Sequence, residues 1–455
     1  MEHTKRGQWS SNLGFIFAAA GSAIGLGNIW KFPGKVGAGG GGAFMLVYIV
    51  IVFTIGASVM LSELVVGRKT QKNAIGAFHS LNPRWTFVGV IGIITGFIVL
   101  SYYSVIGGWV FKYVLVYLGG ANMAGGASAF FKDFVSNPIQ PIIFNLLFMG
   151  ATVLIVMRGV SGGIEKANKV LMPGLFVLLL ILLGRSLTIP GAMRGITFLT
   201  TLDFAALGPD GLLAALGQAL FSLSIGLGTT CTYASYLSKR ENLAKNTATI
   251  CLLDTMIAFV AAFIIIPAVF ATGTPLGEGG SFAFTALPGV FDALPGGTFF
   301  GALFYILLAF AALTSSISIL EAIVAYAVET FHISRKRAAI TAALLMSAVG
   351  SVYALSQGAL PLHGVWYTLR EGLHFPILGD MMEKLTDYIL IPLGSLGFCI
   401  FVGWVWGIKN AKDEITQNGL FKFRLARVWG VFVKYVAPIA IIVIIVLGMM
   451  GEIKL

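Results

Sequence analysis

Three carboxylates stand inside long apolar runs: Glu63, Asp254 in Cys251-Leu-Leu-Asp-Thr-Met-Ile, and Glu321. A lone acid in a membrane-length helix costs roughly 2.5–3.5 kcal/mol on insertion scales, so each marks a functional site or needs a structural partner. At comparable depth lie the side-chain oxygens of Asn28, Ser222, Thr314, Ser315 and Ser316. Hydroxyl, amide and carboxylate oxygens suit a cation such as Na⁺, although a Thr-Ser-Ser run also serves hydrogen bonding between helices. Five scattered histidines, among them His363 and His374, form no nucleophile–base or metal constellation, so the residues do not point to an enzyme. Cys231, Cys251 and Cys399 sit in apolar context without metal-ligand spacing and read as packing residues.

Two short stretches position these oxygens. Ser22-Ala-Ile-Gly25-Leu-Gly27-Asn28 recurs as Ser224-Ile-Gly226-Leu-Gly228-Thr229, each inside an apolar run. Glycine costs about 1 kcal/mol in a helix interior, so both places are expected to break. A break in lipid survives only where the freed backbone faces protein, water or a ligand. Half-helix N-termini then offer N–H groups to a carboxylate, while freed carbonyls face a cation. The pair reads as two halves of one binding site.

Composition supplies the setting. The chain has 455 residues, 57% of them hydrophobic and only 11% charged, with a mean hydropathy of +0.90. Soluble proteins carry about 25% charged residues, so this is an integral membrane protein. Taking about 20 apolar residues per crossing, eleven spans emerge, at approximately 11–36, 42–68, 86–118, 139–157, 167–187, 211–237, 243–272, 299–329, 337–356, 384–408 and 428–450. The first run, from Leu13, is too long for a signal-peptide core and is expected to stay. Residues 1–190 hold spans 1–5 with the N-terminal tail. Residues 191–410 hold spans 6–10, and 411–455 hold span 11 and the C-terminus. Five spans is an odd number, so the second half enters the membrane from the opposite side, which makes a 5+5 inverted repeat with broken helices 1 and 6.

The net charge of +11 is spread over alternate loops, including Arg68, Lys69 and Lys72, then Lys239, Arg240 and Lys245, then Lys409, Lys412, Lys422, Arg424 and Arg427. By the positive-inside rule these loops and the N-terminus face the cytoplasm, which puts the C-terminus outside, in a multi-pass protein of the plasma membrane. No basic-aromatic module accompanies them, so nucleic acid is not an expected partner. The stretch 275–297, rich in Gly and Pro, reads as an external capping loop with small helices, and 357–380 as a second long outer loop. The oligomeric state is left open.

The residues also carry a family likeness. Arg6-x-x-Trp9, Ala20-Gly-Ser-Ala-Ile-Gly-Leu-Gly-Asn28-Ile-Trp-Lys-Phe-Pro33, Gly40-Gly-Gly-Ala-Phe44, Gly217-Gln-Ala-Leu-Phe-Ser-Leu-Ser224, Thr232-Tyr-Ala-Ser-Tyr236 and Leu313-Thr-Ser-Ser-Ile317 together resemble the neurotransmitter:sodium symporter family, in an eleven-helix bacterial form. That resemblance implies the leucine-transporter fold and two sodium sites. The first would use the Ala23 carbonyl, Asn28, Ser222 and Asp254 together with the substrate carboxylate. The second would use the Gly21, Ile24 and Ala311 carbonyls with Thr314 and Ser315. A substrate carboxylate would meet the Leu26 and Gly27 amides and Tyr103. Its side chain would lie among Val99, Phe221, Ser224, Leu227, Ser315 and Ile319, under a lid of Tyr103 and Phe221. The outer gate would be Lys31 with Asp387, and the inner gate Arg6 with Glu329, beside Trp9, Ser235 and Tyr236. Gly163 and Pro173 match a spacing that lets family members unwind the start of span 5.

Three departures from the family pattern matter. Asp254 stands where Asn is common, and Ala258 replaces the hydroxyl of chloride-dependent members, so a fixed carboxylate is expected to make chloride unnecessary. Lys31 replaces the usual Arg, a point charge without the bidentate fork. Leu227 stands where an aromatic is often found. The expected function is sodium-coupled import of small or hydrophobic L-amino acids by alternating access. An amino-acid sensor on the same fold is the alternative. A channel fits less well, because polar residues cluster at local breaks rather than along a continuous pore.

Overall fold

The computed structural model describes residues 7–274, 281–360 and 378–449. Arg6 and most of the outer loop 357–380 lie outside these bounds. Among the described residues nine helices are long and apolar enough to cross a membrane, or up to eleven when each of two bent pairs counts as one crossing. We label the elements α1 (Asn12–Ala23 with Gly27–Ala38), α2 (Gly42–Thr70), α3 (Pro83–Leu118), α4 (Gln140–Val156, bent from Ala127–Ser136), α5 (Val160–Leu187), α6 (Phe204–Ser222 with Thr229–Ala234), α7 (Leu243–Thr272), α8 (Gly297–Phe331), α9 (Arg335–Ser356), α10 (Met381–Val405) and α11 (Ala426–Gly448). No strand occurs among the described residues; the nearest approach to one is a single bridge between Gly41 and Leu202.

Burial sorts these helices. In the most apolar window of α8, 78% of residues are enclosed, against 28% for α5. Val170, Val177 and Leu180 on α5 and Leu344 and Leu345 on α9 stay exposed, as lipid-facing side chains do. The helices that position the polar residues are therefore the enclosed ones. α3 runs along α8, and the first piece of α1 packs against α5, α7 and α8.

Both glycine stretches interrupt their helices. α1 stops at Ala23, where Ile24 turns to φ −74°, ψ 98° and its N–H closes on the Ala20 carbonyl at 2.7 Å. The chain resumes at Gly27 as a wide turn over Gly27–Lys31, bent 55° from the first piece. α6 stops at Ser222 and restarts at Thr229. Between them Ser224 takes φ +50°, a left-handed conformation uncommon outside glycine. Gly226 has φ +84°, and a Cβ there would lie 2.3 Å from the Ile391 carbonyl oxygen of α10. Two small helices, Phe282–Thr285 and Leu287–Asp292, occupy the described part of the 275–297 loop, as its composition suggests.

The candidate site at the two helix breaks

Asp254 is completely buried on α7, facing the break in α1. Asn28 Nδ2 donates to its Oδ1 at 2.7 Å and to Ser222 Oγ at 2.9 Å. Ser222 Oγ lies 3.0 and 2.9 Å from the two carboxylate oxygens, and Tyr48 OH donates to Oδ2 at 3.4 Å. Ser222 is the last residue of the first α6 piece and Asn28 the second of the resumed α1 helix. The two interruptions thus meet around one carboxylate. Asn28 Oδ1 accepts from the Gly25 N–H at 3.1 Å, which braces the turn. Gln218 Nε2 donates to the Gly27 carbonyl at 3.2 Å, while its Oε1 is buried without a partner among the described residues.

A second oxygen cluster forms where α8 crosses the end of the first α1 piece. Ser315 Oγ lies 3.3, 3.2 and 3.3 Å from the carbonyl oxygens of Gly21, Ser22 and Ile24. Thr314 Oγ1 lies 3.5 Å from the Ile24 carbonyl and 3.0 Å from that of Ala311. Ser22 joins this set through its carbonyl, which also accepts from Ser224 Oγ at 2.8 Å. Ser316 turns away and pairs with Thr152 of α4 at 2.8 Å, so that one member of the Thr-Ser-Ser run serves helix association. Carbonyl and hydroxyl oxygens without any amine or thiol form a donor set of the kind a hard monovalent cation prefers.

Tyr103 on α3 closes the space between the clusters, its OH accepting from the Leu26 N–H at 3.3 Å. Val99, Leu227 and Ile319 are each 4% exposed. Phe221 lies over Gly27, where its ring would come within 2.6 Å of a Cβ. Lys31 Nζ sits 4.3 Å above that ring and 3.3 Å from Asp387 Oδ2. Both side chains remain about one-fifth exposed.

On the opposite side Trp9 Nε1 donates to the Tyr233 carbonyl at 2.9 Å, and its ring packs edge-on to Tyr233 and Tyr236. Tyr236 OH donates to Glu321 Oε1 at 2.7 Å. Glu321 has its own partner in Arg335, so this intramembrane acid is half of an ion pair. Glu329 accepts from Asn73 N–H at 3.0 Å and from Asn73 Nδ2 at 2.6 Å. The remaining acid, Glu63, grips the α6 break: its carboxylate accepts from the Gly226 N–H at 2.5 Å and from Thr230 Oγ1.

Several contributors carry no signal in sequence. Tyr48 is one of many aromatics in apolar helices. Asn168 of α5 donates from Nδ2 to the Ile164 carbonyl at 2.9 Å, and its Oδ1 is buried without a partner among the described residues. That oxygen lies 2.5 Å from the place a Gly21 Cβ would fill, beside Thr314, so it faces the second cluster. Glu165 accepts from Ser10 N–H at 2.8 Å and Ser11 Oγ at 3.0 Å, tying the start of α1 to α5.

The model of the Sodium:neurotransmitter symporter family matches residues 6–121 and 139–453. The chain belongs to that family. It is 38% identical over 458 residues to a sodium-dependent transporter of Bacillus subtilis, YhdH, covering 98% of each chain. It is 25% identical to the human sodium- and chloride-dependent GABA transporter 2, over 91% of this chain and 75% of that one. The crystal structure of MhsT in complex with L-phenylalanine superposes with a TM-score of 0.87 at 40% identity, covering 97% of this chain and 99% of MhsT. The protein is therefore a multi-pass, sodium-dependent transporter and not an enzyme, as its residues suggest.

Proposed function

We propose that this symporter imports small or hydrophobic L-amino acids together with sodium, through a 5+5 inverted repeat completed by α11, with the N-terminus in the cytoplasm and the C-terminus outside. The observation that carries this reading is the convergence of Asn28, Ser222 and Asp254 at the two helix breaks, with the second oxygen cluster alongside. One ion would bind among Ala23, Asn28, Ser222, Asp254 and the substrate carboxylate. Arrival of that ion displaces the Asn28 Nδ2 protons from Asp254 and calls for the amide to present Oδ1. The other ion would bind at Gly21, Ile24, Ala311, Thr314 and Ser315.

The substrate carboxylate would take the Leu26 N–H that Tyr103 OH now accepts, with Tyr103 turning its own proton to it. Val99, Phe221, Leu227 and Ile319 give the substrate side chain an apolar surround without a charged group, which favours an apolar cargo. The L-phenylalanine held by MhsT fits that preference. Sodium drives the cycle only through unequal affinity for the outward and inward forms. Closure of Lys31 on Asp387 above Phe221 guards one side, and Trp9 on Tyr233 and Tyr236 guards the other.

Chloride is unnecessary on this reading, because Asp254 provides a fixed negative charge beside Tyr48 and Ser222, while Ala258 offers no hydroxyl. The test is uptake of radiolabelled amino acids into proteoliposomes under an imposed sodium gradient, with all twenty amino acids as competitors. Uptake that needs sodium, persists in gluconate and is competed best by hydrophobic amino acids is expected. Uptake that collapses without chloride overturns the chloride assignment, and none under a sodium gradient overturns the proposal.

A further inference from the structure

An open cleft of about 390 Å³ lies far from the two breaks, between the helix Ile408–Thr416 and α11. Its walls are one face of each helix. Ile408 and Lys412 are four residues apart on the short helix, while Arg427, Gly430, Val431 and Lys434 follow the three-and-four spacing of a single α11 face. Gly430 permits the close crossing at its floor, since a Cβ there would come within 3.3 Å of Ile408 Cγ2. Three cations thus face one cleft, and among the described residues none of them forms an ion pair.

The surroundings are those of a membrane interface. Trp404 and Tyr435 are each about half exposed and pack edge-on at 5.4 Å. Lys434 Nζ lies 5.1 Å from the Trp404 ring. Amphipathic aromatics collect at headgroup depth. Further along α11, Ile439 and Ile442 are exposed and apolar, as a surface for acyl chains requires. The opposite face of the short helix is anchored, because Glu414 accepts from the fully buried Arg68 of α2. The cleft is therefore a firm concave surface whose rim is cationic and whose continuation is greasy.

We propose that this cleft binds the headgroup of an anionic phospholipid, with its phosphodiester between Lys412, Arg427 and Lys434 and its chains along α11. An inorganic anion would satisfy the charges without using the apolar continuation. A zwitterionic lipid would use the continuation while bringing its own cation against three others. The bound lipid would brace the corner where α2, α10, α11 and the short helix meet.

The test is native mass spectrometry with thermal unfolding of the full chain in mild detergent, using phosphatidylglycerol, phosphatidylcholine and inorganic phosphate as separate probes. Phosphatidylglycerol is expected to bind and stabilise, and the other two are not. Each interfacial cation lost weakens such binding roughly fivefold, so Lys412→Gln, Arg427→Gln and Lys434→Gln together weaken it about a hundredfold. Lys422→Gln with Arg424→Gln, on the same loop but outside the cleft, leaves it within a fewfold. Equal loss in both sets, retention in the triple variant, or equal stabilisation by phosphatidylcholine or by inorganic phosphate would each overturn the proposal. Should the triple variant fail to fold, the single variants Lys412→Gln and Arg427→Gln decide the matter. A fivefold loss in each supports the site, and unchanged affinity in both removes it.

Discussion

Asp254 concentrates the chemistry of the candidate site in one carboxylate. It holds Asn28, Ser222 and Tyr48 in a completely buried cluster. Asp254→Asn keeps the shape and removes the charge. Buried hydrogen bonds that lose a partner cost about 1–3 kcal/mol, or roughly 5- to 150-fold in affinity. Sodium activation of uptake is expected to shift to higher concentration by a factor in that range, with stimulation by chloride appearing. Unchanged uptake with or without chloride would set the charge account aside. Ser315→Ala removes the hydroxyl that lies near three carbonyl oxygens, and a lower sodium or substrate affinity is expected in the same uptake titration. Asn168→Leu fills the polar contact beside Gly21 with a branched apolar group, and the same titration should show weaker sodium activation. Asp254, Asn28 and Ser315 stand out in sequence because each is a polar residue in an apolar run. Tyr48 and Asn168 do not, since an aromatic in an apolar helix reads equally well as packing, and Asn168 stands among Glu165, Lys166 and Lys169 at the polar start of α5.

At the scale of elements, the helix breaks are written in Gly-x-Gly, but what holds them open is not. Glu63 on α2 satisfies the bare Gly226 N–H and the Thr230 hydroxyl across 163 and 167 residues of chain. No local pattern announces such a partnership. Glu63→Gln leaves one acceptor oxygen where two now serve and turns an amide NH2 toward the other partner, so a lower unfolding temperature and weakened substrate binding are expected together. Gly226→Ala meets both a positive φ and the Ile391 carbonyl, and loss of folded protein on size-exclusion chromatography is the expected outcome. Hydropathy places most span ends within about three residues, but α5 and α6 begin seven residues before the expected 167 and 211. It passes over the helix Ala127–Ser136, whose Lys132 and Asp133 break the apolar run before α4. It also passes over the wide turns Val52–Gly56 and Phe432–Val436, because a one-residue change of helical pitch leaves hydropathy unaltered.

Across the whole molecule, two ion pairs of different strength flank the site. Lys31 and Asp387 are partly exposed, and such pairs contribute about 0–1 kcal/mol. If the pair serves as the proposed gate, Lys31→Gln should therefore change apparent substrate affinity by no more than about fivefold, since so weak a contact can open in every cycle. Glu321 is fully buried while its partner Arg335 is about one-quarter exposed, so removal of Arg335 leaves a buried carboxylate at a cost toward the lower end of the about 3–5 kcal/mol of a fully buried pair. Arg335→Ala should lower thermal stability markedly in detergent. If, as proposed, the amino acid and the sodium ions share one site built where α1 and α6 are interrupted, their affinities must be linked reciprocally. Equilibrium binding of labelled L-phenylalanine, titrated at a series of sodium concentrations with potassium as replacement, tests this most directly. Affinity is expected to rise steeply with sodium, potassium not to substitute, and Asp254→Asn to flatten the dependence. Binding of equal strength in sodium and potassium would contradict it.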